Sequence, residues 1–203
     1  MLKEFRTFRE EISKSLLTEE TFFVFYHGGN LNLSSDNRLT PLDIEKVPAS
    51  KRIEYGPGLY LTTSSQVVDK YAKGSRKLYK VYVERGKEIN DVQVDISSID
   101  ELKNSLGRPK VQKIHDRIVG SRFDENGKVG IYIILNFCIN DNLLRTEKGR
   151  KGMRDFLVRH GVDYELHKSP FGWKETMMVL FNTKKISKIE QLDKKQPIED
   201  LHK

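Results

Sequence analysis

Three short groups of residues in this chain carry functional groups that could work together on a small ligand. His27-Gly28-Gly29 sets an imidazole beside two glycines. Glycines there leave backbone N–H and C=O groups open to a ligand's amide, and the imidazole can bond a sugar hydroxyl. Tyr60 and Tyr71 lie eleven positions apart, the first on a strand-like segment and the second on the helix-like one that follows. Two phenol rings so placed can face each other across a narrow slot that receives a flat aromatic group. Glu175 stands directly before the apolar run Thr176-Met-Met-Val-Leu-Phe181. A carboxylate at the mouth of a buried strand is costly unless it has a partner or a task. Taken singly, each has a plain structural explanation: a strand-end histidine in a turn, two core phenols, an edge carboxylate beside Lys174. The three in this order are far more specific than any one of them.

The elements that must position these groups follow from periodicity. Apolar side chains at Leu2, Phe5, Phe8, Ile12, Leu16 and Leu17 predict a one-sided N-terminal helix, an extension over residues 1–20. The aromatic run Phe22-Phe-Val-Phe-Tyr26 has a strand's length and ends at His27. Residues 31–52 read as a loop that covers what the glycines expose. Gly56-Pro57-Gly58 then punctuates the backbone before Leu59-Tyr60-Leu61-Thr62, a short strand. Ser64 or Ser65 caps the next helix, with Val67, Val68 and Tyr71 on one face.

Residues 77–84 alternate as a strand with one wet face. Residues 97–106 and 109–119 predict two short helices, the second burying Ile114, Ile118 and Val119. Asp124-Glu-Asn-Gly127 is a turn, and residues 129–137 fit either a strand or a buried helix. Residues 147–159 form a basic amphipathic helix that Gly161 caps. Residues 164–167, 176–181 and 184–189 read as strands, the second buried on both faces and the third at an edge. A charged, flexible tail begins at residue 193. The sum is one α+β domain over residues 1–203 with no βαβ alternation. It has no GxGxxG after a strand and no GxxxxGK motif, which argues against Rossmann and P-loop sites.

The formal charge of +7 and pI near 9.3 suit an acidic partner, nucleic acid included, or simply confer solubility. The single cysteine, Cys138, excludes an internal disulfide framework and a four-cysteine zinc site. Its apolar setting predicts a buried, inert thiol. No secretory h-region and no membrane-length apolar run is present, so the expected location is the cytoplasm of the producing or target cell. Export by a route needing no such peptide stays open.

Tyr26-His27-Gly28, then Gly58-Leu-Tyr-Leu-Thr-Thr-Ser64 with Tyr71 in the next helix, then Glu175 opening a late strand, resemble the His–Tyr–Glu motif of ADP-ribosyltransferases. This is the branch holding diphtheria-type toxins and poly(ADP-ribose) polymerases. The likeness spans residues 22–189. Its last part, from Phe156-Leu-Val-Arg-His-Gly-Val-Asp-Tyr164 onward, is similar to the ending of many bacterial and phage members.

The resemblance implies a split two-sheet α+β core gripping NAD as co-substrate, with no metal. His27 would bond a ribose hydroxyl, and the backbone of Gly28 would hold the nicotinamide carboxamide. Tyr60 and Tyr71 would stack on the cationic ring, with Gly29 and Thr62 completing the cofactor-binding set. His27, Tyr60 and Glu175 would be catalytic, Glu175 stabilising the oxocarbenium ion as nicotinamide leaves. It further implies a monomeric effector or toxin, held in check by an antitoxin in some members. Such an enzyme would modify a protein or nucleic acid with single ADP-ribose groups.

Two positions depart from the pattern. Gly29 replaces the usual Thr or Ser, and Trp173 replaces the Glu or Gln of arginine-modifying enzymes, which argues against an arginine acceptor. Trp173, in a loop with Pro170 and Phe171, either contacts the acceptor or packs on the sheet edge. Two other functions are compatible: an NAD-dependent RNA 2′-phosphotransferase drawing on His115, Arg117 and Arg122, and a module that binds NAD or ADP-ribose without turnover.

Overall fold

The computed structural model describes residues 22–35, 39, 55–64, 67–68, 77–168 and 175–192. The expected N-terminal helix, Tyr71, the Trp173 loop and the tail lie outside these residues.

The aromatic and β-branched runs become the strands of one six-stranded sheet. They are β1 (Phe22–Gly28), β2 (Leu59–Thr62), β3 (Leu78–Glu84), β6 (Tyr164–Lys168), β7 (Thr176–Leu180) and β8 (Ile186–Leu192). Their spatial order is β6-β7-β2-β1-β3-β8, and every neighbouring pair is antiparallel. A separate two-stranded sheet joins β4 (Gln93–Asp95) to β5 (Lys128–Gly130). The class is therefore α+β. β8 does sit at an edge, but it begins at Ile186, because Lys184 and Lys185 belong to a preceding 3-10 turn.

Side-chain alternation sends each strand's residues to two faces. Phe23 and Phe25 of β1 join Leu59, Leu61, Tyr79, Val81, Val83, Met178 and Leu180 in one apolar cluster. Leu31, Leu33 and Leu39 of the following loop pack onto it, and the Tyr79 hydroxyl latches the loop through both the N–H and C=O of Leu31. On the other face Val179 and Phe181 meet the helical layer, with Tyr55 and Tyr60 against its rim. Covered from both sides, β7 is buried at every position, as its unbroken apolar run predicts.

The helical layer holds α1 (Lys103–Leu106), α2 (Arg108–Ile118), α3 (Ile131–Asn140) and α4 (Glu147–Arg159). A 3-10 segment, Ile96–Leu102, forms the first part of the stretch expected as one helix ending at Leu106. On α2 the buried stripe is Val111, Ile114 and Ile118; Val119 lies past the helix end and is exposed. Helical spacing from Ile114 and Ile118 leads back to Val111, so assigning Val119 to the core was incorrect. The ambiguous stretch at 129–137 resolves into both alternatives: β5 ends at Gly130 and α3 starts at Ile131. On α4, Thr146 accepts from the Gly149 N–H at the N-terminus, and Gly161 at φ +82° closes the other end.

Candidate functional site

β2 runs between β1 and β7, so it carries Tyr60 between the strand that ends at His27-Gly28 and the strand that Glu175 precedes. Gly58 makes this close packing possible: a β-carbon there would lie 2.6 Å from Val179 Cγ1 and 2.8 Å from the Leu180 carbonyl oxygen. From that point Leu59–Thr62 pairs residue by residue with β7, Tyr60 opposite Val179 and Thr62 opposite Met177. The pairing continues one step further through Thr63, whose N–H donates to the Thr176 carbonyl at 3.0 Å. The Thr176 N–H returns a 3.0 Å bond to the Thr63 hydroxyl.

Glu175 precedes β7 on this seam and keeps only 6% of its surface exposed. The Thr62 hydroxyl donates to its Oε1 at 2.6 Å, a short charge-assisted bond. Thr62 Oγ1 in turn accepts the Ser64 N–H at 3.1 Å, so the donor is itself oriented. Ser64 then starts the helical turn containing Val67 and Val68: its hydroxyl accepts the Val67 N–H and its carbonyl the Val68 N–H. Ser64, one of the two candidate caps, caps this turn; Ser65 lies outside the described residues. Thr62, expected among the cofactor-binding residues, gives its hydroxyl hydrogen to the Glu175 carboxylate.

Between β2 and β1 the ladder is nearly absent. Tyr26 and Thr62 are the one registered pair, whereas β1 and β3 pair along seven positions. Past Tyr26 no further pair of the two strands is registered, and the His27 side chain bridges this gap in the ladder: Nδ1 lies 3.0 Å from the Tyr60 carbonyl oxygen. A carbonyl only accepts, so Nδ1 carries the proton and Nε2 of the neutral ring is an acceptor. The imidazole also stacks at 6.3 Å on Tyr79. Gly29 lies against it, since a β-carbon at that position would stand 2.7 Å from His27 Nε2.

Alternation places the Tyr60 phenol, Thr62 and Glu175 on one face of the sheet and the His27 side chain on the other. His27 reaches the group through the gap and bonds the Tyr60 main chain rather than its ring. The Tyr60 hydroxyl is held by the preceding turn, donating to the Gly56 carbonyl at 2.9 Å and accepting the Tyr55 N–H at 3.3 Å.

Two residues of β6 on the Glu175 face were not singled out from sequence. Glu165 and His167 are separated by one residue, which puts both on one side of the strand. His167 stacks on Tyr55 with ring centroids 4.0 Å apart. The alternating Tyr164-Glu-Leu-His167 is the signal that could have marked them, but alternation alone does not tell which face is functional.

Basic residues of α2 lie near an acidic partner. Arg117 donates to Asp141 at 2.9 Å and lies 3.9 Å from the centre of the Phe137 ring. Lys113 is 3.5 Å from the same carboxylate. Cys138 is fully buried, as expected, and burial pushes its thiol up to about 12. Among the described residues no group of His, Cys, Asp and Glu is arranged to hold a metal ion, and no helix is long and apolar enough to cross a membrane.

No protein-family model matches the chain, and no curated protein matches it. A solved structure described as an anti-CRISPR protein superposes with a TM-score of 0.39 at 10% sequence identity, covering 85% of this chain and 97% of that one. A likeness that loose carries no argument about fold or activity.

Proposed function

We propose that this protein is an NAD-dependent ADP-ribosyltransferase that breaks the nicotinamide–ribose bond and transfers ADP-ribose to a macromolecular acceptor, a protein or a nucleic acid. The observation that carries the reading is the buried Glu175 carboxylate, tied to Thr62 on β2 next to the gap in the β1–β2 ladder. A sheet that opens beside His27-Gly28 offers a bound amide the backbone groups it needs. On this reading the β1–β2 gap is the split of an ADP-ribosyltransferase core.

In the reaction, positive charge builds on the ribose ring as nicotinamide departs. Glu175 faces that charge, bonds the 2′-hydroxyl, and is held in place before the reaction by Thr62. His27, with Nδ1 occupied by the Tyr60 carbonyl, presents Nε2 as an acceptor to a ribose hydroxyl. The Tyr60 ring, fixed through Gly56 and Tyr55, forms one wall for nicotinamide; Tyr71 is proposed as the other. The positive net charge favours the pyrophosphate of NAD and acidic acceptors.

The test is incubation with labelled NAD and cell lysate, following both nicotinamide release and label on macromolecules. Release that falls by about 10²–10³-fold in Glu175→Gln, the usual loss for one preorganised electrostatic contact, supports the reading. A wild-type protein that neither releases nicotinamide nor labels anything overturns it.

A further inference from the structure

Glu165 and His167 have no part in the scheme above, yet they stand beside its carboxylate. His167 pairs with Met177 across the β6–β7 ladder, so Glu175 is its diagonal neighbour on the same face. Diagonal neighbours in an antiparallel pair stand roughly 7–8 Å apart at the backbone, within reach of long and aromatic side chains. His167 Nε2 lies 3.1 Å from Glu165 Oε1, an ion-pair distance without hydrogen-bond alignment. Both His167 Nε2 and Glu165 Oε2 are buried and lack hydrogen-bond partners among the described residues. Buried polar atoms left in this way call for an explanation, and a ligand that completes them is one.

We propose that His167, beside the Glu165 carboxylate that would stabilise its protonated form, is the base that deprotonates the acceptor, and that the acceptor is a neutral O–H or N–H nucleophile, foremost a hydroxyl. This rests on the transferase reading. As the C1′–N bond breaks, its electron pair leaves with neutral nicotinamide. A lone pair of the acceptor atom forms the new bond to C1′, and the acceptor's proton passes to His167, giving an imidazolium next to the Glu165 carboxylate. Atoms and charge balance without a further reactant. A carboxylate acceptor has no proton to lose and needs no such pair, and a guanidinium holds its proton too firmly for an imidazole.

The experiment supplies NAD with two small nucleophiles, azide and methanol, and quantifies ADP-ribosyl azide, methyl ADP-ribose and free nicotinamide. Azide is already anionic and needs no base, whereas methanol does. In His167→Gln the ratio of azide to methanol product is expected to rise on the order of 10²-fold, the lower range for a lost general base. Glu165→Gln shifts the ratio the same way by less, and it stands as the readout should His167→Gln fail to melt cooperatively. An active protein whose product ratio is unchanged in both variants overturns the base and leaves the transferase reading intact. A wild type that releases no nicotinamide with any nucleophile overturns both.

Discussion

The Thr62 hydroxyl and Glu175 Oε1 meet at 2.6 Å although 113 positions separate them in the chain. The contact joins the end of β2 to the start of β7, and it fixes the direction of the one carboxylate on which the proposed chemistry depends.

Thr62→Val keeps the shape of the side chain and removes the donor. We expect a loss of about 1–3 kcal/mol in chemical denaturation, because a buried carboxylate oxygen is left without its bond. Nicotinamide release should fall with it. Thr62→Ser restores the hydroxyl and should recover most of both. Equal stability of the Val and Ser variants would contradict this account.

Gly29 sits against the imidazole, so a larger, branched residue there should displace it. Gly29→Thr forces His27 to turn away from the Tyr60 carbonyl. The expected result is weaker NAD binding by calorimetry, with a melting temperature close to wild type.

Tyr60→Phe separates the ring from its anchor. The lost hydroxyl bonds both Gly56 and Tyr55, so roughly 1–2 kcal/mol of stability should disappear. The ring remains for stacking, and NAD affinity should fall less than in Tyr60→Ala. Denaturation and titration of the two variants side by side decide it.

Gly58→Ala presses a methyl group into Val179 and the Leu180 carbonyl. Overpacking of this kind typically costs about 1–3 kcal/mol, and here it opens the seam that holds Glu175. Stability and nicotinamide release should fall together, unlike in Glu175→Gln, where release alone is lost.

The fold should weaken in alkali. Burial raises Cys138 from an ordinary thiol value of 9.0 to about 12, and it also raises Tyr164 above 10.0. A group whose folded value is raised contributes stability that is complete below its unfolded value and is lost as pH climbs towards the folded one. Denaturation midpoints should therefore decline from about pH 9 upward. Cys138→Ala should flatten the first part of that decline. The same shift predicts that iodoacetamide leaves Cys138 unmodified at pH 8 until the protein is unfolded.

The strands and α4 were legible because their causes are local. Phe22–Gly28 and Thr176–Leu180 announce themselves by aromatic and β-branched runs, and α4 by an apolar stripe that ends at Gly161. Where two local tendencies competed, neither could win on the sequence. Residues 128–140 became strand and then helix because β4 pairs with β5 only as far as Gly130, beyond which Ile131, Ile133 and Ile134 enter the helical core.

Residue types and spacing by themselves determined which groups could do chemistry: an imidazole beside glycines, a strand phenol, and a carboxylate before an apolar run. Only the tertiary structure decided how they meet. It set Thr62 on Glu175, left β1 and β2 with one registered pair beside His27, and laid Glu165 and His167 on the Glu175 face. Those outcomes depend on the order β6-β7-β2-β1. Strand order is set by burial on both faces of the whole sheet, and it joins segments as far apart as β2 and β7, more than a hundred residues from each other, so no local pattern encodes it.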